Sequence, residues 1–331
     1  MHSPLDWLIG SNRASIVPTE EEIAGWLPET NRHPHRFLVL ADIHANWHAL
    51  VEVLRHARGR YDAFWFLGDI VGYGPRPVEC VRFLKQHVSP TRRWLAGNHD
   101  LGASDQLDSM ENGYKLGRWA QWSRGQHRQM LQETPDLWRW FLKAMVTARS
   151  APRAHRYGGF GQIFVHANPA DWVGSYLYPD QRFNILDHLR MLEKTSKTRQ
   201  SGTWLLVGHT HMVCLAYLKS GSSNVELLPI SYGGPIPIQD GCYLINPGSV
   251  GQPRDGDPRA AYAILDVQTG CVTYHRVDYD VIAVQREMQR EGYPDILVER
   301  LGTARIRDTQ FFNNVYERVP EDAPERLVPR V

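Results

Sequence analysis

Residues 36–44 read Arg-Phe-Leu-Val-Leu-Ala-Asp-Ile-His, an unbroken apolar run from Phe37 to Ala41 that ends on Asp42 and His44. Such a run predicts a buried strand. Behind it, Trp47, Leu50, Val51, Leu54 and Ala57 recur at helical spacing. Asp62–Asp69 (DAFWFLGD) predicts a second strand and Pro77–His87 a second helix. Arg92–Ala96 predicts a third strand, which runs into Gly97-Asn98-His99-Asp100. Strand, helix, strand, helix, strand is the order of an α/β fold with a parallel sheet.

Further along, residues 104–156 form a Trp-rich segment of helical character. Between Tyr114 and Arg156 it carries nine Lys or Arg, Lys115 and Arg149 among them, against Glu133 and Asp136. A solvated basic face is the plain reading; a cap that steers an anionic substrate is the functional one. Its tryptophans, Trp119, Trp122, Trp138 and Trp140, are read first as core and second as stacking surfaces for a base. Gly161–His166 and Thr203–Gly208 then read as strands around a helix. After His211 come Met212–Lys219, Val225–Ile230, Gly241–Ile245, Ala260–Val267 and Cys271–Val277, strand-like runs that suggest a mostly antiparallel sheet. The organisation is therefore an extension at 1–35, a domain at 36–302 with 104–156 as a helical cap insertion, and a tail at 303–331 expected to be poorly ordered. In the extension, Thr19 and Glu22 form a capping-box pattern that opens a short helix before Pro28.

The 331 residues carry 37 Lys+Arg against 36 Asp+Glu, a balance that argues against a globally basic nucleic-acid binder. No apolar run reaches the ~18 residues of a membrane span, and Met1–Arg13 lacks a secretory leader pattern. Cys80, Cys214, Cys242 and Cys271 are scattered, so a reducing cytoplasm is the expected compartment.

The chemistry lies in five short blocks, each directly after a predicted strand: Asp42-Ile43-His44, Gly68-Asp69, Gly97-Asn98-His99-Asp100, His166 and Gly208-His209-Thr210-His211. Open α/β sheets place their sites at the carboxyl ends of strands. Imidazole and carboxylate together suit borderline divalent metals. Asp42, His44 and His211 would hold one ion, Asn98, His166 and His209 another, and Asp69 would bridge them. Two ions so placed stabilise the attacking and leaving oxygens of an in-line phosphoryl displacement. Singly, Asp42 and Asp69 are equally good helix caps, and Asn98 a turn residue.

The ordered set DxH, GD, GNHD, H and GHxH resembles the calcineurin-like metallophosphoesterase superfamily. Gly68–Pro75 (GDIVGYGP), His166–Asp180 (HANPADWVGSYLYPD), Asn246–Asp257 (NPGSVGQPRDGD) and Tyr279–Leu301 are similar to its small bacterial and archaeal phosphodiesterase branch. The resemblance implies a four-layer α/β/β/α sandwich and two divalent cations, manganese or iron before nickel, zinc or cobalt. It implies hydrolysis of phosphodiesters by in-line attack of a metal-bridging hydroxide. His99 would face the leaving group, with Asp100 holding its tautomer and raising its pKa. Asn46 and Arg254 are the weaker candidates for substrate contacts. The substrate is a phosphate ester, with nucleotides and nucleic acids among the candidates, and an oligomer is compatible with the sequence. The alternatives are a phosphomonoesterase acting on nucleotides or phosphoproteins, and a non-catalytic metal-binding scaffold. Two departures stand out. Ala45 replaces the glycine usual after the first histidine, and Gly72-Tyr73-Gly74 stands where protein phosphatases carry an arginine motif.

Overall fold

A computed structural model of the chain describes residues 18–28, 33–88, 93–106, 118–148, 153–157, 160–195, 202–305, 316–319 and 326–329. The first 17 residues of the extension, Lys115 and Arg149 lie outside them.

Helix α1 (Glu20–Ala24) opens with the expected capping box: Glu22 N–H donates to Thr19 Oγ1, and Thr19 N–H to the Glu22 carboxylate. Strand β1 (Arg36–Leu40) leads to α2 (Trp47–Ala57), β2 (Ala63–Phe66), α3 (Pro77–Phe83), α4 (Asn98–Ala103), α5 (Arg118–Gln132) and α6 (Pro135–Ala148). Then come β3 (Arg153–Tyr157), β4 (Phe160–Phe164), α7 (Arg182–Thr195), β5 (Thr203–Leu206), β6 (Val213–Leu218), β7 (Glu226–Leu227), β8 (Ile230–Ser231) and β9 (Pro235–Pro237). The chain closes with β10 (Cys242–Pro247), β11 (Ala260–Asp266), β12 (Cys271–Val277), α8 (Val281–Arg290), α9 (Asp295–Thr303), β13 (Tyr316–Val319) and β14 (Arg326–Pro329).

Two mixed sheets form the centre, in the orders β2-β1-β11-β12-β9 and β3-β4-β5-β10-β6-β7. Helix α2 packs on β11 and β12, and α7 packs on β5, β6 and β10, which gives the α/β/β/α layering. The β1 run has no polar alternation because both faces are covered. Phe37, Val39 and Ala41 enter the core between the sheets, where Phe37 stacks on Trp65 at 4.0 Å. Leu38 and Leu40 enter the core beneath the helices.

The two halves of the sequence do not make separate sheets. Strand β11 pairs antiparallel with β1 on the side opposite the parallel partner β2. The expected third strand is a single bridge between Phe66 and Trp94. The insertion is helical through α5 and α6, but its end, β3, is an edge strand paired with β4. Trp138 and Trp140 pack on the helical core, while Trp119 and Trp122 pack near α8 and α9. All four are partly buried against these clusters. Within the tail, β13 pairs antiparallel with β14 and β14 with β8, and residues 306–315, 320–325 and 330–331 lie outside the described residues.

Candidate metal centre

The loop after β1 carries Asp42 and His44, and the loop after β2 carries Asp69. The start of α4 carries Asn98 and His99, the end of β4 leads to His166, and the loop after β5 carries His209 and His211. These loops converge. One ligand atom each from Asp42, His44, Asp69 and His211 lies within 4.8 Å of the others, and the same holds for Asp69, His166 and His209. Asp69 belongs to both groups. Asn98 stands beside the second, its Oδ1 3.3 Å from His166 Nε2.

This convergence requires unusual backbone. Asp42, His44, Ala45, Asp69, Tyr73, His209 and His211 all have φ between +48° and +66°. Each such non-glycine residue costs on the order of 1 kcal/mol, which the surroundings must offset. They do so through backbone ties: Asp42 N–H donates to Gly68 O, His44 N–H to Asp69 O and Ala45 N–H to Ile70 O. The Asn246–Asp257 loop stitches the two sheets together. Val250 and Gly251 N–H donate to Ala41 and Asp42 carbonyls, and Arg254 N–H donates to His211 O. Ser249 Oγ donates to Asp42 O. Ala45 sits at φ +52°, so Ala45→Gly is expected to raise stability by up to about 1 kcal/mol in urea denaturation, the strain relieved exceeding the added chain entropy.

The imidazole tautomers are set from behind. Nδ1–H of His44 donates to Val71 O at 2.9 Å, that of His166 to Leu67 O at 2.8 Å and that of His211 to Gln252 O at 2.6 Å. A ring held this way presents a lone pair at Nε2. Those lone pairs face other acceptors. His44 Nε2 lies 3.0 Å from His211 Nε2 and 3.6 Å from Asp69 Oδ2, and His166 Nε2 lies 3.4 Å from the same Oδ2. Asp69 Oδ2 is buried and has no hydrogen-bond partner among the described residues. Lone pairs gathered around an orphaned carboxylate oxygen fit cations, and nitrogen with oxygen donors fits borderline divalent ones. His209 differs: its Nε2 lies 3.1 Å from Gly174 O, which leaves Nδ1 to face the site, and its ring stacks on Tyr176 at 4.1 Å.

A proton can stand in for the missing positive charge. Burial opposes it at His166, but the Asp69 carboxylate prevails and raises the imidazole to about 9. Burial pushes the Asp42 carboxyl upward. Burial instead holds His44 near 3, in the lone-pair form. The folded, metal-free protein therefore binds a proton at His166 more tightly than the unfolded chain, whose imidazole titrates at 6.5. That stabilisation is complete below pH 6.5 and is lost as pH rises through about 9. Melting temperature of the metal-free protein is expected to fall across that window, and metal binding at pH 7 to release protons, seen as a buffer-dependent calorimetric enthalpy. A metal-free melting temperature that rises from pH 6.5 to 9 would contradict this.

Three expectations change. Asp100 does not reach the His99 imidazole. Its Oδ1 accepts from Ile70 and Val71 N–H and its Oδ2 from Asp69 and Gly97 N–H, so it shapes the metal-ligand loops. His99 is lowered rather than raised, by burial, with the Arg124, His44 and Arg254 charges adding to it against Asp69. Asn46 is structural: its Nδ2 donates to Gly251 O and Tyr279 Oη, and its Oδ1 caps α2 through Ala49 N–H. Arg254, by contrast, is 4% exposed and lies over the Tyr73 ring at 5.8 Å, its charge within reach of Asp42, His44 and His211. Among the described residues, Asp255 and Asp257 pair with Arg276, and Asp257 also with Arg259.

The sequence reading passed over Tyr73, Tyr176, His127 and Arg124. His127 of α5 accepts from Gly72 N–H at 2.9 Å and donates to Gly74 O at 2.8 Å, holding the turn between them. A Cβ at Gly72 would lie 2.8 Å from His99 Cγ and 3.0 Å from His44 Nδ1, so this turn, at φ +97°, takes glycine. The signal for His127 and Arg124 was only the basic insertion, which does not say which residues turn inward.

The sequence profile of the calcineurin-like phosphoesterases matches residues 35–213. The chain belongs to that family. This metallophosphoesterase is a metal-dependent phosphoric ester hydrolase. An uncharacterized protein of Methanocaldococcus jannaschii is 31% identical over 271 residues, covering 80% of this chain and 96% of that one. The crystal structure of a metallophosphoesterase from Sphaerobacter thermophilus is 33% identical with a TM-score of 0.60, covering 82% of this chain and 100% of that one. A symmetrical bis(5'-nucleosyl)-tetraphosphatase of Vibrio cholerae is 35% identical over 65 residues, 19% of this chain and 24% of that enzyme. Among the described residues, no helix of the metallophosphoesterase is long and apolar enough to cross a membrane.

Proposed function

We propose that the protein hydrolyses phosphodiesters at a centre of two divalent cations, with manganese or iron favoured. The observation that carries the reading is Asp69, whose buried, unpartnered Oδ2 faces both His44 and His166. Asp42, His44 and His211 would hold one ion, Asn98, His166 and His209 the other, and Asp69 would serve both. Bound there, the ions would supply an activated water and absorb charge on the phosphoryl oxygens. The protein's own groups do the rest. Backbone carbonyls behind His44, His166 and His211 keep their Nε2 lone pairs turned inward. Arg254 would bind a non-bridging oxygen through a charge-assisted hydrogen bond. His99, whose Nδ1 has no partner, would offer a neutral ring N–H to the leaving oxygen and stabilise charge there. The preference for diesters rests on the four stretches similar to the phosphodiesterase branch. The partial match to a bis(5'-nucleosyl)-tetraphosphatase supports a nucleotide-type substrate. Four free cysteines are compatible with a cytoplasmic location.

Manganese-loaded protein is expected to hydrolyse bis-p-nitrophenyl phosphate with a kcat/KM at least about tenfold above that for p-nitrophenyl phosphate, a transition-state preference of about 1.4 kcal/mol. Chelation should abolish turnover and added manganese restore it. Preference for the monoester would move the reading to a phosphomonoesterase. No turnover on either, in protein that holds its metal, would favour the non-catalytic scaffold.

A further inference from the structure

Arg124 of α5, Arg254 of the loop after β10 and Arg300 of α9 come from distant parts of the chain, and Tyr73 packs in one apolar cluster with Ala120 of α5 and with Leu297 and Leu301 of α9. Tyr73 and Tyr176 lie among them, each within electrostatic reach of all three. The Tyr73 ring lies 4.5 Å from the His99 ring and 4.7 Å from the His44 ring, and the Arg254 guanidinium lies 5.8 Å from its centre. Arg124 is 7% exposed, its Nε and Nη2 have no hydrogen-bond partner, and Arg254 Nε has none either. Tyr176 and Arg300 are half-buried, on the side of the cluster nearer solvent.

Among the described residues, no salt bridge joins any of the three guanidiniums to a carboxylate. The acidic groups that Arg124 feels are Asp69 and Asp100. Asp69 faces the imidazoles, and Asp100 already accepts four backbone N–H bonds. Nor is Tyr73 a counter-charge, because burial pushes its phenol upward and keeps it neutral. Arg300 is held below its ordinary range by burial and by the neighbouring Arg254 charge. Buried guanidinium groups stay protonated and are costly without an anion. One phosphoryl group at the ligand clusters would engage Arg254, leaving Arg124 and Arg300 without an anionic partner among the described residues.

The geometry points to a second anionic subsite, formed by Arg124 and Arg300 with Tyr73 and Tyr176 and bordered by Arg254, that binds a further phosphate linked to the scissile one. The substrate class is a phosphoanhydride chain of two or more phosphates. This rests on the metal-dependent hydrolase reading above and moves the scissile bond from the ester of a simple diester to a phosphoanhydride. Water adds to the scissile phosphorus, the P–O–P bond breaks, and its electron pair leaves on the bridging oxygen of the departing phosphate. One water proton stays or passes to product phosphate and the other is released. His99, whose ring lies 4.5 Å from that of Tyr73 and within reach of the Arg124 charge, would face the departing phosphate.

The test is equilibrium binding to metal-free protein by calorimetry at fixed ionic strength, with orthophosphate, pyrophosphate, tripolyphosphate and adenosine 5'-diphosphate as probes. Tripolyphosphate is expected to bind at least about tenfold more tightly than orthophosphate, as one added charge-assisted hydrogen bond would give. Arg124→Gln and Arg300→Gln should each remove most of that difference, with circular dichroism spectra and melting temperatures as in the wild type. Tighter binding of adenosine diphosphate than of pyrophosphate assigns the chain to a nucleotide, and equal binding to an inorganic polyphosphate. Equal affinity of the wild type for orthophosphate and tripolyphosphate overturns the subsite without needing any variant. So does a wild-type affinity ratio in both folded variants. Turnover of bis-p-nitrophenyl phosphate alongside equal affinities would sink the subsite and leave the hydrolase reading standing. Selective tripolyphosphate binding without turnover on any ester or anhydride would do the reverse.

Discussion

Asp69→Asn is expected to lower turnover by on the order of 10³-fold, the scale seen when one preorganised electrostatic partner is removed from a reacting centre. Asp69 is the one residue common to both ligand groups. Its Oδ1 accepts from His99 N–H at 2.8 Å, and its Oδ2 has no partner but faces two imidazole nitrogens. An amide in its place removes the charge that both groups share. If the nitrogen takes the Oδ2 position, it also points hydrogens at His44 and His166. Metal content after gel filtration should fall together with activity, because the carboxylate serves both groups. The His166 imidazole should return toward its ordinary range, since Asp69 is what raises it. The proton release on metal loading should shrink accordingly. A variant that keeps its full metal content and turns over within about tenfold of wild type would exclude Asp69 as the shared ligand.

Asp100→Ala is expected to act on folding rather than on chemistry. The side chain is fully buried and accepts N–H bonds from Asp69, Ile70, Val71 and Gly97 at 2.8, 2.9, 3.1 and 3.0 Å. Orphaned buried N–H groups cost about 1–3 kcal/mol each, so the loss should reach roughly 4 kcal/mol or more. That is a large part of the about 5–15 kcal/mol by which a domain is stable. Asp100→Asn keeps one accepting oxygen and should fall between the two. Urea midpoints of metal-free protein should therefore run wild type, Asp100→Asn, Asp100→Ala. The His99 titration, followed by NMR in Asp100→Asn, should not shift toward lower pH, as it would if the carboxylate supported the imidazolium. A variant as stable as wild type but inactive would return Asp100 to the chemistry.

Much of the site was legible in the sequence because strand ends and polar residues sit next to each other in the text. Asp42, His44, Asp69, Asn98, His166, His209 and His211 each follow a predicted strand closely, and the structure brings all seven together. The errors came where a short-range pattern had two readings. Asp100 follows His99 directly, so the sequence suggested a pair. At the start of α4, however, its side chain turns back to the backbone N–H groups of Gly97 and of the Asp69 loop. Asn46 had the residue type of a substrate contact and of a helix cap, and the cap is what it makes.

The sequence by itself determined the elements and the ligand inventory, since periodicity and strand-end chemistry are local properties of the chain. Tertiary structure decided which strands share a sheet: β11 and β12, from the far end of the chain, complete the sheet begun by β1 and β2. It decided each imidazole tautomer, through carbonyls of Val71, Leu67 and Gln252 that lie 27, 99 and 41 residues from their histidines. It also decided which of the many arginines turn inward. Arg124, Arg254 and Arg300 differ from the solvated ones in nothing that a linear pattern records. Burial, and the absence of a carboxylate partner among the described residues, are properties of the packed chain and not of a linear pattern.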